Sequence, residues 1–150
     1  MRKLFAASAV VLAVAAGSGC TGDAAHRAAA ATMTCTPTSI NADGTLPGGS
    51  VDGTSVSALA ERSSSGPVRV GEQVKFILRM AGNGDLAVSA IDPDGREWDP
   101  DWGPEAHGSS NFGGAGDEWG FGVTFPVAGC WTIELRRTES GTGYLQLEVT

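Results

Sequence analysis

Apolar and polar positions alternate with period two through five stretches in the later half of the chain. Val74, Phe76, Leu78 and Met80 are interleaved with Lys75, Ile77 and Arg79, and Leu86, Val88 and Ala90 share one parity. Trp119, Phe121, Val123 and Phe125 alternate with Gly120, Gly122 and Thr124. Trp131, Ile133 and Leu135 alternate with Thr132, Glu134 and Arg136, and Leu145, Leu147 and Val149 with Tyr144, Gln146 and Glu148. Successive side chains of a strand point to opposite faces, so each stretch predicts a strand with one face buried and one wet. The punctuation agrees. Asn83-Gly84 sits between the first two strands as a hairpin signal, and Asp92-Pro93-Asp94-Gly95 reads as a turn in which Pro presets φ and Gly accepts a positive one. Residues 140–143 close the last hairpin. Five such strands suit two antiparallel sheets packed face to face.

Elsewhere the pattern fades. Residues 35–66 carry Pro37, Asn41, Gly44, Pro47, Gly48, Gly49 and Gly53, with Ser63, Ser64, Ser65 and Gly66 forming a loop. An irregular arm is expected there, with one short edge strand within residues 51–59. Residues 98–117, rich in Gly, Asp and Pro, form a loop too long for a plain connector. With 22 Gly, 7 Pro and no long stretch of helical apolar spacing, residues 67–150 are expected to fold as a single all-β domain.

The start of the chain follows a different logic. Arg2 and Lys3 precede an apolar run over residues 4–16, and Gly17, Ser18 and Gly19 lead into Cys20. That is the order of a secretory signal: basic, apolar, then small residues at the cleavage point. The run falls short of the roughly 20 residues that span a bilayer. Ser18-Gly19-Cys20 resembles the bacterial lipoprotein lipobox, with Gly17 where that pattern favours Leu. The resemblance implies a signal peptide at 1–19 and lipidation of Cys20, so that the protein meets its membrane through an N-terminal lipid only. Residues 20–34, rich in Ala, then read as a flexible tether. The fourteen residues after Cys20 could reach about 45 Å when extended at about 3.3 Å each.

Charge narrows the partners. Loss of Arg2 and Lys3 with the leader takes the formal charge from −7 to −9. Such a balance argues against nucleic acid and against lying flat on anionic lipid. If Cys20 is acylated, Cys35 and Cys130 remain as an even pair in an oxidising compartment. A disulfide between them is expected ahead of two buried thiols or a metal pair, because no His or further Cys lies near either. The chain-entropy model assigns so long a loop roughly 4–5 kcal/mol.

The segment Phe125-Pro126-Val127-Ala128-Gly129-Cys130-Trp131-Thr132-Ile133, with the short hairpin after it, resembles the C-terminal end of uncharacterised secreted lipoproteins of high-GC bacteria. Cys35 before Thr36-Pro37 fits the N-terminal cysteine of that pattern. The resemblance covers the last 80 or so residues. It implies an antiparallel immunoglobulin-like β-sandwich of about seven strands and an extracytoplasmic location on the cell membrane, and it carries no activity. In antibody domains the two cysteines point inward across the sandwich. Here Trp131 follows Cys130 directly, so an inward Trp131 sends the Cys130 side chain outward. A bond to Cys35 would then staple the arm to a strand end or outer face.

Candidate chemistry gathers in the acidic stretch of Asp92, Asp94, Glu97, Asp99, Asp101 and Glu105. Calcium wants six to eight oxygens, yet the spacing lacks the EF-hand order, and a solvated loop is the plainer expectation. Trp98 and Trp102 beside Asp99 and Asp101 are the candidate ligand contacts, as a sugar platform or as loop-closing plugs, while Trp119 and Trp131 pack by parity. His26 lies in the tether. His107 with Met80 or Met33 would make a weak copper site, and Ser109 and Ser110 near His107 lack a G-x-S-x-G elbow. No catalytic, cofactor or metal set is assigned. The expectation is a lipid-anchored, non-catalytic binding or interaction module facing an envelope protein or glycan through residues 98–117. The alternatives are a small envelope hydrolase using Asp99, Asp101 or His107, and a structural accessory of an envelope complex.

Overall fold

The computed structural model describes residues 34–64, 66–108, 113 and 116–150. The leader, Cys20, His26 and Met33 lie outside them, as do Ser65, Ser109 and Ser110. Ten strands run in chain order: β1 Thr45–Pro47, β2 Gly49–Ser50, β3 Val56–Glu61, β4 Gln73–Met80, β5 Leu86–Ile91, β6 Glu97–Trp98, β7 Trp102–His107, β8 Asp117–Thr124, β9 Gly129–Arg137 and β10 Thr142–Val149. Every pairing between them is antiparallel. They form two five-stranded sheets, sheet A in the order β1-β3-β4-β8-β7 and sheet B in the order β2-β10-β9-β5-β6. Seven strands have six residues or more. The other three are fragments of two or three residues, which accounts for the excess over the seven expected.

Each alternating stretch of the sequence is a strand, and the predicted inward parity is the buried one. Phe76, Leu78, Phe121, Trp131, Ile133, Leu135 and Leu145 are all fully buried in a single core between the sheets. Phe76 stacks on Phe121 with ring centroids 5.2 Å apart, and Phe125 meets Trp131 edge-on at 5.2 Å. The Trp131 indole N–H donates to the Val127 carbonyl at 3.0 Å, which satisfies the one polar atom the ring carries inward. Burial of apolar area at this density is the main stabilising contribution.

Two arginines and one disulfide fasten the strands at their ends. Arg137 continues the inward parity of Trp131, Ile133 and Leu135, and its guanidinium lies 4.1 Å from the Trp119 ring centroid. It donates to the carbonyls of Gly84 and Met80 and to Asp117 Oδ2 at 2.7, 3.3 and 2.7 Å, fastening β9 to both neighbouring turns. Arg62 grips Glu72 through two N–H groups at 3.1 and 3.0 Å and donates to the carbonyls of Gly66 and Pro67, which folds the approach to β4. Cys35 is bonded to Cys130 across 95 residues of sequence. Trp131 faces the core, so Cys130 presents its sulfur outward and the bond staples the arm to sheet B without bridging the sheets. Thr36 N–H donates to the Gln146 side chain and Thr38 N–H to the Gln146 carbonyl, at 3.1 and 2.9 Å.

Three expectations need correction. Asn83-Gly84 closes no hairpin: β4 lies in sheet A and β5 in sheet B, so this turn carries the chain from one sheet to the other, and the Asn83 N–H donates to the Ser140 carbonyl at 2.9 Å. The arm at 35–66 is more regular than its Gly and Pro content suggested. It supplies β1, β2 and β3, and β3 lies inside sheet A with partners on both sides instead of forming an edge. The long loop at 98–117 contains a strand, β7, paired with β8 at the edge of sheet A through a bulge at the cis Gly103-Pro104 bond.

Candidate functional site

The two candidate contacts Trp98 and Trp102 do not share one surface, because they belong to different sheets. Trp98 ends β6 in sheet B, opposite Ala90. Its ring packs against Trp131 with centroids 6.3 Å apart, and its N–H donates to Asp92 Oδ2 at 3.0 Å. It is the plug rather than the platform. Asp92 is nearly fully buried, and its carboxylate also accepts from the backbone N–H groups of Asp94 and Arg96 at 3.0 and 2.8 Å. Burial pushes this carboxyl up, but the hydrogen bonds from Trp98, Arg96 and Asp94 together outweigh it and hold the group below its usual range. The turn closes through the Gly95 N–H to the Asp92 carbonyl at 2.9 Å, with Gly95 at φ +80°. Asp92 is thus consumed by its own turn.

Trp102 begins β7 and lies on the outer, solvent side of sheet A. Beneath it β8 presents Gly122 and Gly120, whose parity is opposite to that of Trp119, Phe121 and Val123. A Cβ at Gly122 would stand 2.0 Å from the indole Nε1, and one at Gly120 would stand 3.6 Å from Cη2. The indole therefore runs along β8, its pyrrole side over Gly122 and its benzo end towards Gly120. His107 ends β7 above the same strand, and its Nε2 would meet a Gly120 Cβ at 3.0 Å. Glycine weakens a strand by about 0.5–1 kcal/mol relative to Ala. Here two glycines on one face make room for two rings.

Fixed polar groups flank the shelf. Beyond its pyrrole end, Asp101 Oδ2 accepts from Gln73 Nε2 and Thr124 Oγ1 at 2.9 and 2.7 Å, and the Asp101 N–H donates to the Gly122 carbonyl. At the other end, Glu118 Oε1 lies 3.0 Å from His107 Nδ1, and its Oε2 lies 3.5 Å from Arg79 Nε. Glu118 is buried although it points away from the core, because His107 and Arg79 cover it. Of the residues singled out in the sequence, Trp102, Asp101 and His107 are brought together. Asp99 stands exposed at the corner between β6 and β7. Met80 is fully buried while His107 is exposed, so the two cannot share a copper ion. Among the described residues, no three His, Cys, Asp or Glu side chains converge as metal ligands.

Sequence reasoning missed Gly120, Gly122, Glu118 and Arg79. Glycine at i and i+2 of one strand face was the available signal. A second concavity, about 710 Å³, opens between the arm and the 62–68 loop beside Ile40, Val68 and Leu147. Among its described lining residues the cation, Arg62, is committed to Glu72 and two carbonyls, and the other charged residue, Glu148, is an exposed carboxylate at its edge. The sequence matches no known protein family and no curated protein.

Proposed function

We propose that this protein is a lipid-anchored, extracytoplasmic binding module, non-catalytic, with an immunoglobulin-like framework. The observation that carries the binding reading is Trp102. A solvent-facing sheet surface needs no large aromatic ring for stability, yet β8 gives up a side chain at Gly122 to seat this one and another at Gly120 to seat His107 beside it. Rigid sandwiches commonly carry their contacts at such edges and adjoining loops. The immunoglobulin-like reading is supported by strand order. β3-β4-β8-β7 faces β6-β5-β9-β10, and from β3 onward the chain crosses between sheets after β4, β6 and β8, as the ABED and C′CFG sheets of that fold do. Location outside the cytoplasm is supported by the Cys35–Cys130 bond and by the leader order ending at Cys20.

The test is capture from solubilised cell envelope by the mature domain, with Trp102→Ala and Trp98→Ala alongside it. Trp102→Ala should abolish retention of envelope components, and equal retention by wild type and Trp102→Ala would remove the shelf from the account. Cys20→Ser should move the protein from the membrane to the soluble fraction. The hydrolase reading has one observation in its favour, the His107–Glu118 pair at 3.0 Å. Ester or glycoside turnover that is lost in His107→Ala would turn the assignment that way.

A further inference from the structure

The Trp102 shelf is more than an exposed ring, and its surroundings name a chemistry. The indole is held by three constraints: β7 pairing, the bare backbone of Gly122 beneath it and Gly120 at its far end. It is half-buried, so what remains open is one partly exposed aromatic surface on the wet side of the sheet. Two sets of oriented hydrogen-bonding groups stand at its ends. Asp101 is fixed by Gln73 and Thr124, and His107 is fixed by Glu118. Groups held this way lose little freedom when a ligand arrives, which favours a ligand with its own array of donors and acceptors.

A ligand that fits needs an apolar patch for the ring and hydroxyl groups at its periphery. A pyranose has both: axial C–H bonds make one face apolar, and equatorial hydroxyls radiate from the rim. Carboxylates at both ends and Glu105 on the same edge strand disfavour an anionic sugar. A protein partner would favour a larger contiguous apolar area. The exposed large hydrophobics among the described residues are instead single, separated valines at 51, 70 and 127.

We propose that the shelf binds neutral pyranose units of an envelope or extracellular polysaccharide. A sugar ring lies on Trp102, its hydroxyls reaching Asp101 at one end and His107 at the other. This rests on the binding-module reading and assigns its ligand class.

The experiment titrates the mature domain with cellohexaose, xylohexaose, mannohexaose, laminarihexaose and chitohexaose, and with hexagalacturonic acid as the anionic control. Intrinsic tryptophan fluorescence and calorimetry report binding. At least one neutral oligosaccharide should give a saturable signal and the anionic one none. Trp102→Ala should weaken that affinity by more than about tenfold. Trp102→Phe, which keeps a ring on the glycines, should retain most of it, and Asp101→Asn should weaken it about threefold to tenfold. Thermal unfolding of each variant checks that the domain is intact. Silence from every neutral oligosaccharide, with envelope capture still dependent on Trp102, overturns the sugar assignment and leaves a protein-binding module. Neutral-sugar binding that ignores Trp102 overturns the shelf itself, and tighter binding of the anionic sugar overturns the neutral class.

Discussion

The two faces of β8 follow opposite rules within one eight-residue strand. Its inner face carries Trp119, Phe121 and Val123, all buried against sheet B. Its outer face carries Glu118, Gly120 and Gly122, and it is covered by rings that arrive from the neighbouring strand. The inner face is explained by burial of apolar area alone. The outer face is not, since hydrophilic side chains would have covered it without the strand-weakening glycines. The difference separates what holds the sandwich together from what the sandwich displays, and it predicts which substitutions cost stability and which cost binding.

The largest effect belongs to the inner side. Trp131→Ala should lower unfolding free energy by about 3–5 kcal/mol in urea titrations, since it empties the space between Phe125 and Trp98. Replacing Cys35 and Cys130 by Ser should cost about 2–4 kcal/mol, and it should release the arm, seen as faster amide exchange at Thr36 and Thr38. A smaller loss, about 1–3 kcal/mol, is expected for Asp92→Ala, which strands the Trp98 indole N–H and two backbone donors.

Acid probes the same carboxyl together with Glu72. The hydrogen bonds from Arg62 lead in lowering the Glu72 carboxyl, and Asp92 is also lowered, so both lie below their unfolded values. Their stabilisation is therefore complete at neutral pH and is lost as pH falls below about 4. Asp92→Asn should flatten that acid limb, whereas unchanged limbs in both Asp92→Asn and Glu72→Gln would place the acid sensitivity elsewhere.

The smallest stability effect is assigned to the outer side. Gly122→Ala gains strand propensity but drives a Cβ into the indole, so stability should move by less than about 1 kcal/mol while the shelf is displaced. A loss of several kcal/mol there would merge the two faces into one structural unit.

How much of this was legible in the sequence depends on length of pattern. The five longest alternations declared their strands and their inward parity, because a one-residue slip would turn every apolar side chain into water. The turn at Asp92 to Gly95 was legible from its own chemistry. β7 was not, since Gly103-Pro104 interrupts alternation and Ala106, opposite Trp119, gives its inner face no large apolar side chain. β1 and β2 are too short to carry a period, and β3 was hidden by the glycines that precede it. Arg137 was readable in hindsight, because it holds the inward parity of Trp131, Ile133 and Leu135 and a cation there must find partners. The separation of Trp98 from Trp102 depended on where the chain crosses between sheets, which no local pattern encodes.

The division between the two faces rests most directly on equilibrium urea unfolding of Trp102→Ala beside Trp131→Ala. Trp102→Ala should lose less than about 1 kcal/mol with an unchanged denaturant slope, against about 3–5 kcal/mol for Trp131→Ala. A loss in Trp102→Ala as large as in Trp131→Ala would show that the outer ring is structural, and the account of a displayed binding surface would fail.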